Sequence, residues 1–180
     1  MLQKIVLFII LVSLPIYAQV LNIDDNNQKI LRDAGISIID ISSIKSGNII
    51  CSDKKSLVLL AKIKLENDIS KYKIFDVYDS KQKFLNNQKN LIAYLIITDD
   101  HVDILSEWVC KSCSSALNDF YRDPLRLIVA KKVSKIIPNL ISKKIASNQE
   151  GIIIPTGAGI DTYVFWNGKN YVLYFPDEIP

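Results

Sequence analysis

Residues 56–67, SLVLLAKIKLEN, begin as an uninterrupted apolar run and then alternate, with Ile63 and Leu65 set against Lys62 and Lys64. That pattern predicts a strand buried on both faces at one end and on one face at the other. ISIIDISSI (36–44) is short and β-branched and reads as a strand before it, and KYKIFDVYDS (71–80) as one after it. NLIAYLIITDDHVDILSEW (90–108) reads as two strands around a tight turn at Asp99–Asp100. NIDDNNQKILRDAG (22–35) has the opposite character: Asp and Asn to cap a helix, Ile30 and Leu31 on one side, and Gly35 to stop it.

Beyond residue 113 the period lengthens. In SSALNDFYRD (114–123) and PLRLIVAKKVSKIIPNLISKKIAS (124–147), Val129, Val133, Ile136, Ile137, Leu140 and Ile141 recur at three- and four-residue spacing. This predicts amphipathic helices, one starting at Pro124 and kinked or restarted at Pro138. The closing GIIIPTGAGIDTYVFWNGKNYVLYFPDEIP (151–180) reads as a strand, a glycine-rich turn and a hairpin. Its arms are TYVFW and NYVLYF, joined at Asn167-Gly168, a strong hairpin signal. Together these elements predict an α+β fold: an antiparallel sheet of meander and hairpin strands with amphipathic helices packed on one face.

The first 18 residues change the compartment. Lys4 supplies a short positive region, Ile5 to Leu14 an apolar core with one Ser, and Pro15 a break before Ala18. This is the layout of a secretory signal peptide (1–18), cleaved after Ala18, and the core falls short of the roughly 20 residues that span a bilayer. An uncleaved anchor is the alternative reading. Removing 18 of the 180 residues leaves 162, enough for a single globular domain (19–180) with its own core. The net charge drops from +3 to +2 with the loss of Lys4. That leaves no electrostatic case for nucleic acid or an anionic membrane surface. The expected location is the periplasm or the exterior of a bacterium, since abundant Ile, Lys and Asn suit an AT-rich genome.

Export sets how the cysteines are read. Cys51, Cys110 and Cys113 make an odd count, so one thiol is free or pairs between molecules. A bridge from Cys51 to Cys110 or Cys113 would close a long loop and contribute about 2–4 kcal/mol. A redox pair would make Cys110 the attacking thiol, with Lys111 and a following helix N-terminus lowering its pKa. A zinc site of Cys51, His101, Cys110 and Cys113 lacks a second Cys-x-x-Cys knuckle, so no metal or other cofactor is expected. His101, the sole histidine, sits among Asp99, Asp100 and Asp103 and reads as a solvated turn residue. No nucleophile-elbow glycines accompany a serine, which argues against hydrolase chemistry. The lysines at 131, 132, 135, 143 and 144 read as the solvated side of an amphipathic helix. GAGID (157–161) lacks the spacing of a nucleotide-binding loop.

Two resemblances bear on function. VDILSEWVCKSC, IIIPT and VFWNGK resemble, in that order, the strand with Trp-Cys-x-x-Cys, the Ile-Pro-Thr and the hairpin of thioredoxin-like oxidoreductases. The resemblance implies Cys110 as nucleophile, Cys113 as resolving thiol and Pro155 as a cis-proline facing them. Here Val109 stands between Trp108 and Cys110, GAGID follows the Pro-Thr, and residues 127–137 would have to form a strand. Separately, GAGIDTYVFWNGKNYVLYFPDE is similar to the closing hairpin of small exported bacterial proteins of unknown function, some of them resembling the integrin-like FG-GAP group. That group's Asp-rich calcium loop has no counterpart in SGNIICSDKKSLVLLAKI (46–63).

The expected function is accordingly a non-enzymatic binding, inhibitor or immunity-type protein acting on another envelope or secreted protein. Its candidate surface comprises Thr156, Gly157, Gly159 and Asp161 with Trp166 and Tyr171, because aromatic anchors favour interfaces. A thiol–disulfide oxidoreductase using Cys110 and Cys113 is the alternative.

Overall fold

A computed structural model of the chain describes residues 23–50, 54–76, 89–106, 121–135, 145–155 and 161–174. Helix α1 (Asp25–Asp33) forms where the capping pattern places it. The Asp24 side chain accepts a hydrogen bond from the Asn27 backbone N–H at 2.8 Å, satisfying one orphan donor of the first turn. Gly35 closes the helix at φ 69°, a left-handed conformation that glycine adopts without strain.

Among the described residues nine strands follow: β1 (Ile36–Gly47), β2 (Ser56–Leu65), β3 (Ile74–Asp76), β4 (Asn90–Ile97), β5 (Val102–Ser106), β6 (Arg126–Val129), β7 (Glu150–Ile154), β8 (Thr162–Trp166) and β9 (Tyr171–Tyr174). They form a five-stranded sheet ordered β1-β2-β4-β5-β3 and a four-stranded sheet ordered β6-β7-β8-β9. Every pairing is antiparallel except β3 with β5.

Period-two alternation explains how the sheets stack. On β2, Val58 and Leu60 face the second sheet, while Leu59, Ala61, Ile63 and Leu65 face α1. β4 divides the same way, with Tyr94 and Ile96 on one side and Leu91, Ala93 and Leu95 on the other. β4 and the first part of β2 are therefore buried on both faces, which is why they read as continuous apolar runs, while the exposed Lys62 and Lys64 leave the end of β2 buried on one face only, as its alternation predicts. The second sheet sends Ile152, Ile154, Val164 and Tyr171 into the shared layer and packs Tyr163, Phe165 and Tyr174 against Ala130 and Val133 on its outer side. Each fully buried Leu or Ile in these layers contributes roughly 1.5–3 kcal/mol.

The expectation of a helical stretch from Pro124 is corrected. Residues 126–129 pair with β7, Arg126 opposite Ile153 and Val129 opposite Glu150, and the only helix described there is α2 (Ala130–Val133). Leu127 packs in the inter-sheet layer and Ile128 on the outer face, so neighbours in sequence need opposite sides, which a strand provides and a helix does not. The Val129–Val133 spacing that suggested a longer helix belongs to the strand end and a single turn. Pro138, Ile136, Ile137, Leu140 and Ile141 lie outside the described residues. Among the described residues little helical packing is seen, and the strands form two sheets. The described architecture is sheet-rich, with α1 outside one sheet and α2 outside the other.

Candidate functional site

Of the disulfide, redox and surface candidates marked in the sequence, only Pro155, Asp161, Trp166 and Tyr171 are among the described residues. Cys51, Cys110, Cys113, Thr156, Gly157 and Gly159 lie outside the described residues. Pro155 follows β7, and among the described residues no peptide bond is cis, so the cis-proline implied by the thioredoxin-like resemblance is not found there. The strand that leads to Cys110 (β5) and the strand that ends at Pro155 (β7) also belong to different sheets. Asp161 precedes β8 and holds Arg126 through two hydrogen bonds of 3.0 and 2.8 Å. Trp166 ends the same strand, about 17 Å away at the usual rise per residue. Asp161 and Trp166 are therefore at opposite ends of β8.

Trp166 is instead gathered with two other rings. Its centroid lies 4.9 Å from that of Tyr171 and 6.4 Å from that of Phe75, and Phe75 meets Tyr171 edge-on at 4.8 Å. The Trp166 backbone is fixed by Gln149, whose buried amide donates to the Trp166 carbonyl at 2.6 Å and to the Ile49 carbonyl at 2.8 Å. Tyr171 is 8% exposed, so its ring is an internal packing element and not a surface anchor. Phe75 comes from β3 and Tyr171 from β9, each the last described strand of its sheet, and a groove of about 460 Å³ opens between these two edges.

A polar chain starts from the Tyr171 hydroxyl. It donates to Asp103 Oδ2 at 2.7 Å, and burial, reinforced by the Asp103 charge, holds the phenol well above the usual tyrosine range. His101 Nε2 lies 3.8 Å from the same carboxylate oxygen. On its other side, His101 Nδ1 is 2.7 Å from Asp100 Oδ1 and 2.8 Å from Thr98 Oγ1. The hydrogen bond with His101, then its charge, holds the Asp100 carboxyl below the usual carboxylate range. Lys54 anchors the same turn through Asp99 at 2.8 Å.

Ser56 begins β2 opposite this turn and lines, with Thr98, Asp100 and His101, a small cavity of about 110 Å³. Its hydroxyl is buried and makes no hydrogen bond among the described residues. The set of Ser56, His101 and Asp100 is not arranged as a hydrolytic triad, because the histidine nitrogen free of Asp100 faces Asp103 and no hydrogen bond reaches the serine. Among the described residues no group of three His, Cys, Asp or Glu side chains is placed to hold a metal ion.

Sequence reading took His101 and Asp103 as turn and outward-facing residues and did not mark Phe75. The alternation in His-Val-Asp does place residues 101 and 103 on one face. That this face meets Tyr171 depends on a contact across 68 residues of chain. Comparison of the chain with protein-family models, with curated proteins and with solved structures finds no match.

Proposed function

We propose that this chain is an exported, non-enzymatic binding protein of the inhibitor or immunity type, whose partner is another envelope or secreted protein. The observation that carries this reading is the groove between the two sheet edges, lined by Phe75 and Tyr171, whose rings pack with that of Trp166. An edge strand presents unpaired backbone donors and acceptors to an extended segment, and flanking side chains select it. Phe75 and Tyr171 line the groove, and Trp166, half-buried, packs against both of their rings. Export rests on the signal-like first 18 residues; among the described residues no helix is long and apolar enough to cross a membrane.

The test compares the protein with Trp166→Ala, and separately with Leu173→Glu on the groove wall, for binding to candidate envelope proteins. Both substitutions are expected to weaken a true partner by tenfold or more, on the order of 1.4 kcal/mol or above. Binding that is indifferent to both removes this groove from consideration. Mapping the disulfides by mass spectrometry distinguishes the redox alternative. A reducible Cys110–Cys113 bond whose loss leaves the fold intact favours the oxidoreductase, and a bond from Cys51 to either favours a structural bridge.

A further inference from the structure

Asn167-Gly168 is the sole Asn-Gly pair in the chain, and it closes the β8–β9 hairpin just beyond the paired Trp166 and Tyr171. The Asn167 backbone N–H donates to the Asn170 carbonyl at 3.0 Å, leaving Gly168 and Lys169 as the two central residues of the turn. The Asn167 carboxamide is bound into the same turn. Its Oδ1 accepts from the Lys169 N–H at 3.0 Å and from the Asn170 N–H at 2.9 Å. The first of these bonds closes a ring that contains the Gly168 nitrogen, an Asx turn that folds the carboxamide back over the Gly168 peptide. Gly168 stands at φ 89° and is exposed, and a Cβ built on it would meet no described atom within 4 Å. The turn is therefore open to water, and no side chain at residue 168 hinders its own nitrogen.

The Gly168 nitrogen and Asn167 Cγ are the two atoms that join when an asparagine closes on the following peptide to form a five-membered imide. As that bond forms, negative charge develops on Oδ1. Hydrogen bonds from backbone N–H groups strengthen when their acceptor becomes charged. Two such donors already sit on this oxygen, in the arrangement of an oxyanion hole, and need no reorganisation during the reaction. The folded turn also holds the carboxamide over the attacking peptide, which lowers the entropic part of the barrier.

We propose that Asn167 is a self-modification site that cyclises onto the Gly168 nitrogen with loss of ammonia, the Lys169 and Asn170 N–H groups serving as oxyanion donors. Water takes the Gly168 amide proton, the nitrogen bonds to Asn167 Cγ, and the tetrahedral centre collapses by breaking the Cγ–Nδ2 bond. The departing nitrogen takes a proton from water and leaves as ammonia; nothing is oxidised or reduced. A further water opens the succinimide, at Cγ to give aspartate or at the α-carbonyl to give isoaspartate. Both products place a carboxylate beside Lys169. Isoaspartate also adds a methylene to the main chain between Trp166 and Tyr171, which shifts the hairpin register. The site thus acts as a timer at the start of β9, whose residues Tyr171, Val172 and Leu173 line the groove between the sheet edges. The reaction rests on the hairpin alone and does not depend on what that groove binds.

The experiment incubates the purified full-length protein at mildly alkaline pH and follows residue 167 by peptide mapping and mass spectrometry, scoring succinimide, aspartate and isoaspartate separately. The folded protein is expected to modify Asn167 about tenfold faster than the same chain in guanidinium chloride, where both donors are lost. Asn170, exposed but followed by the bulky Tyr171, is the internal control and is expected to stay an amide. Lys169→Pro removes one donor and keeps Asn167 and Gly168. It is expected to bring the folded rate down toward the denatured one, with the near-ultraviolet circular dichroism of Trp166 reporting the hairpin. Should that variant lose the hairpin, the folded-to-denatured ratio of the parent decides alone. A folded rate equal to or below the denatured rate, no product at residue 167, equal modification of Asn170, or a folded Lys169→Pro as fast as the parent would each overturn the assignment.

Discussion

Tyr171 and Asp103 meet across the two sheets, and the Asp103 side chain is only 13% exposed. A carboxylate in that position depends on its donors. Tyr171→Phe keeps the ring against Phe75 and Trp166 but removes the hydroxyl, leaving His101 at 3.8 Å as the other polar neighbour on that oxygen. The expected loss is about 1–3 kcal/mol in chemical denaturation. An unchanged midpoint would mean that water replaces the hydroxyl at no cost. His101 acts on the opposite side through Asp100. Because the folded-state pKa of Asp100 is depressed, its contribution is present above the unfolded carboxylate value of about 3.9 and is lost as pH falls through the lower folded value. His101→Asn removes the main cause. The Asp100 carboxyl resonance is then expected to titrate at higher pH than in the parent, and an unmoved titration would show that another group sets it. Neither contact could be read from the chain, since Asp103 looks like one more outward-facing acid in an alternating strand.

Local pattern and observed element agree best where capping and alternation are strongest. Asp24, Ile30, Leu31 and Gly35 marked the helix, and α1 is bounded by them. Asp24→Ala is expected to cost about 1 kcal/mol by orphaning the Asn27 N–H. Gly35→Ala is expected to cost more than 1 kcal/mol, because φ 69° strains an L-residue and the new Cβ would meet Asn67 Nδ2 at 2.4 Å and the Tyr72 hydroxyl at 2.9 Å. Thermal unfolding of both variants checks this, and a Gly35→Ala as stable as the parent would contradict the close packing between the helix end and the 66–73 connection. The turn between β4 and β5 and the hairpin at Asn167-Gly168 were legible for the same reason: turn chemistry acts within a few residues. β6 was not. Val129 and Val133 fit a helical spacing, and the partner that settles the matter, β7, begins 21 residues after β6 ends.

The two sheets share one apolar layer, and the two outer layers are separate from it. Leu60, 2% exposed, points from the first sheet toward the second. Leu60→Ala is expected to destabilise by about 2–5 kcal/mol, and because the layer is common, both sheets are expected to unfold in one transition followed alike by near- and far-ultraviolet circular dichroism. Two separated transitions would show that each sheet is held mainly by its own outer layer. The chain's local order already carried the helix at its start, the strands β2 and β4 and the hairpins, because capping, period and turn chemistry are properties of neighbouring residues. Which strand ends face one another, and so which residues share a groove, follows from packing two sheets face to face. That packing brings Phe75 to Tyr171 and Tyr171 to Asp103, since contacts across tens of residues depend on the summed burial of whole faces and leave no local mark.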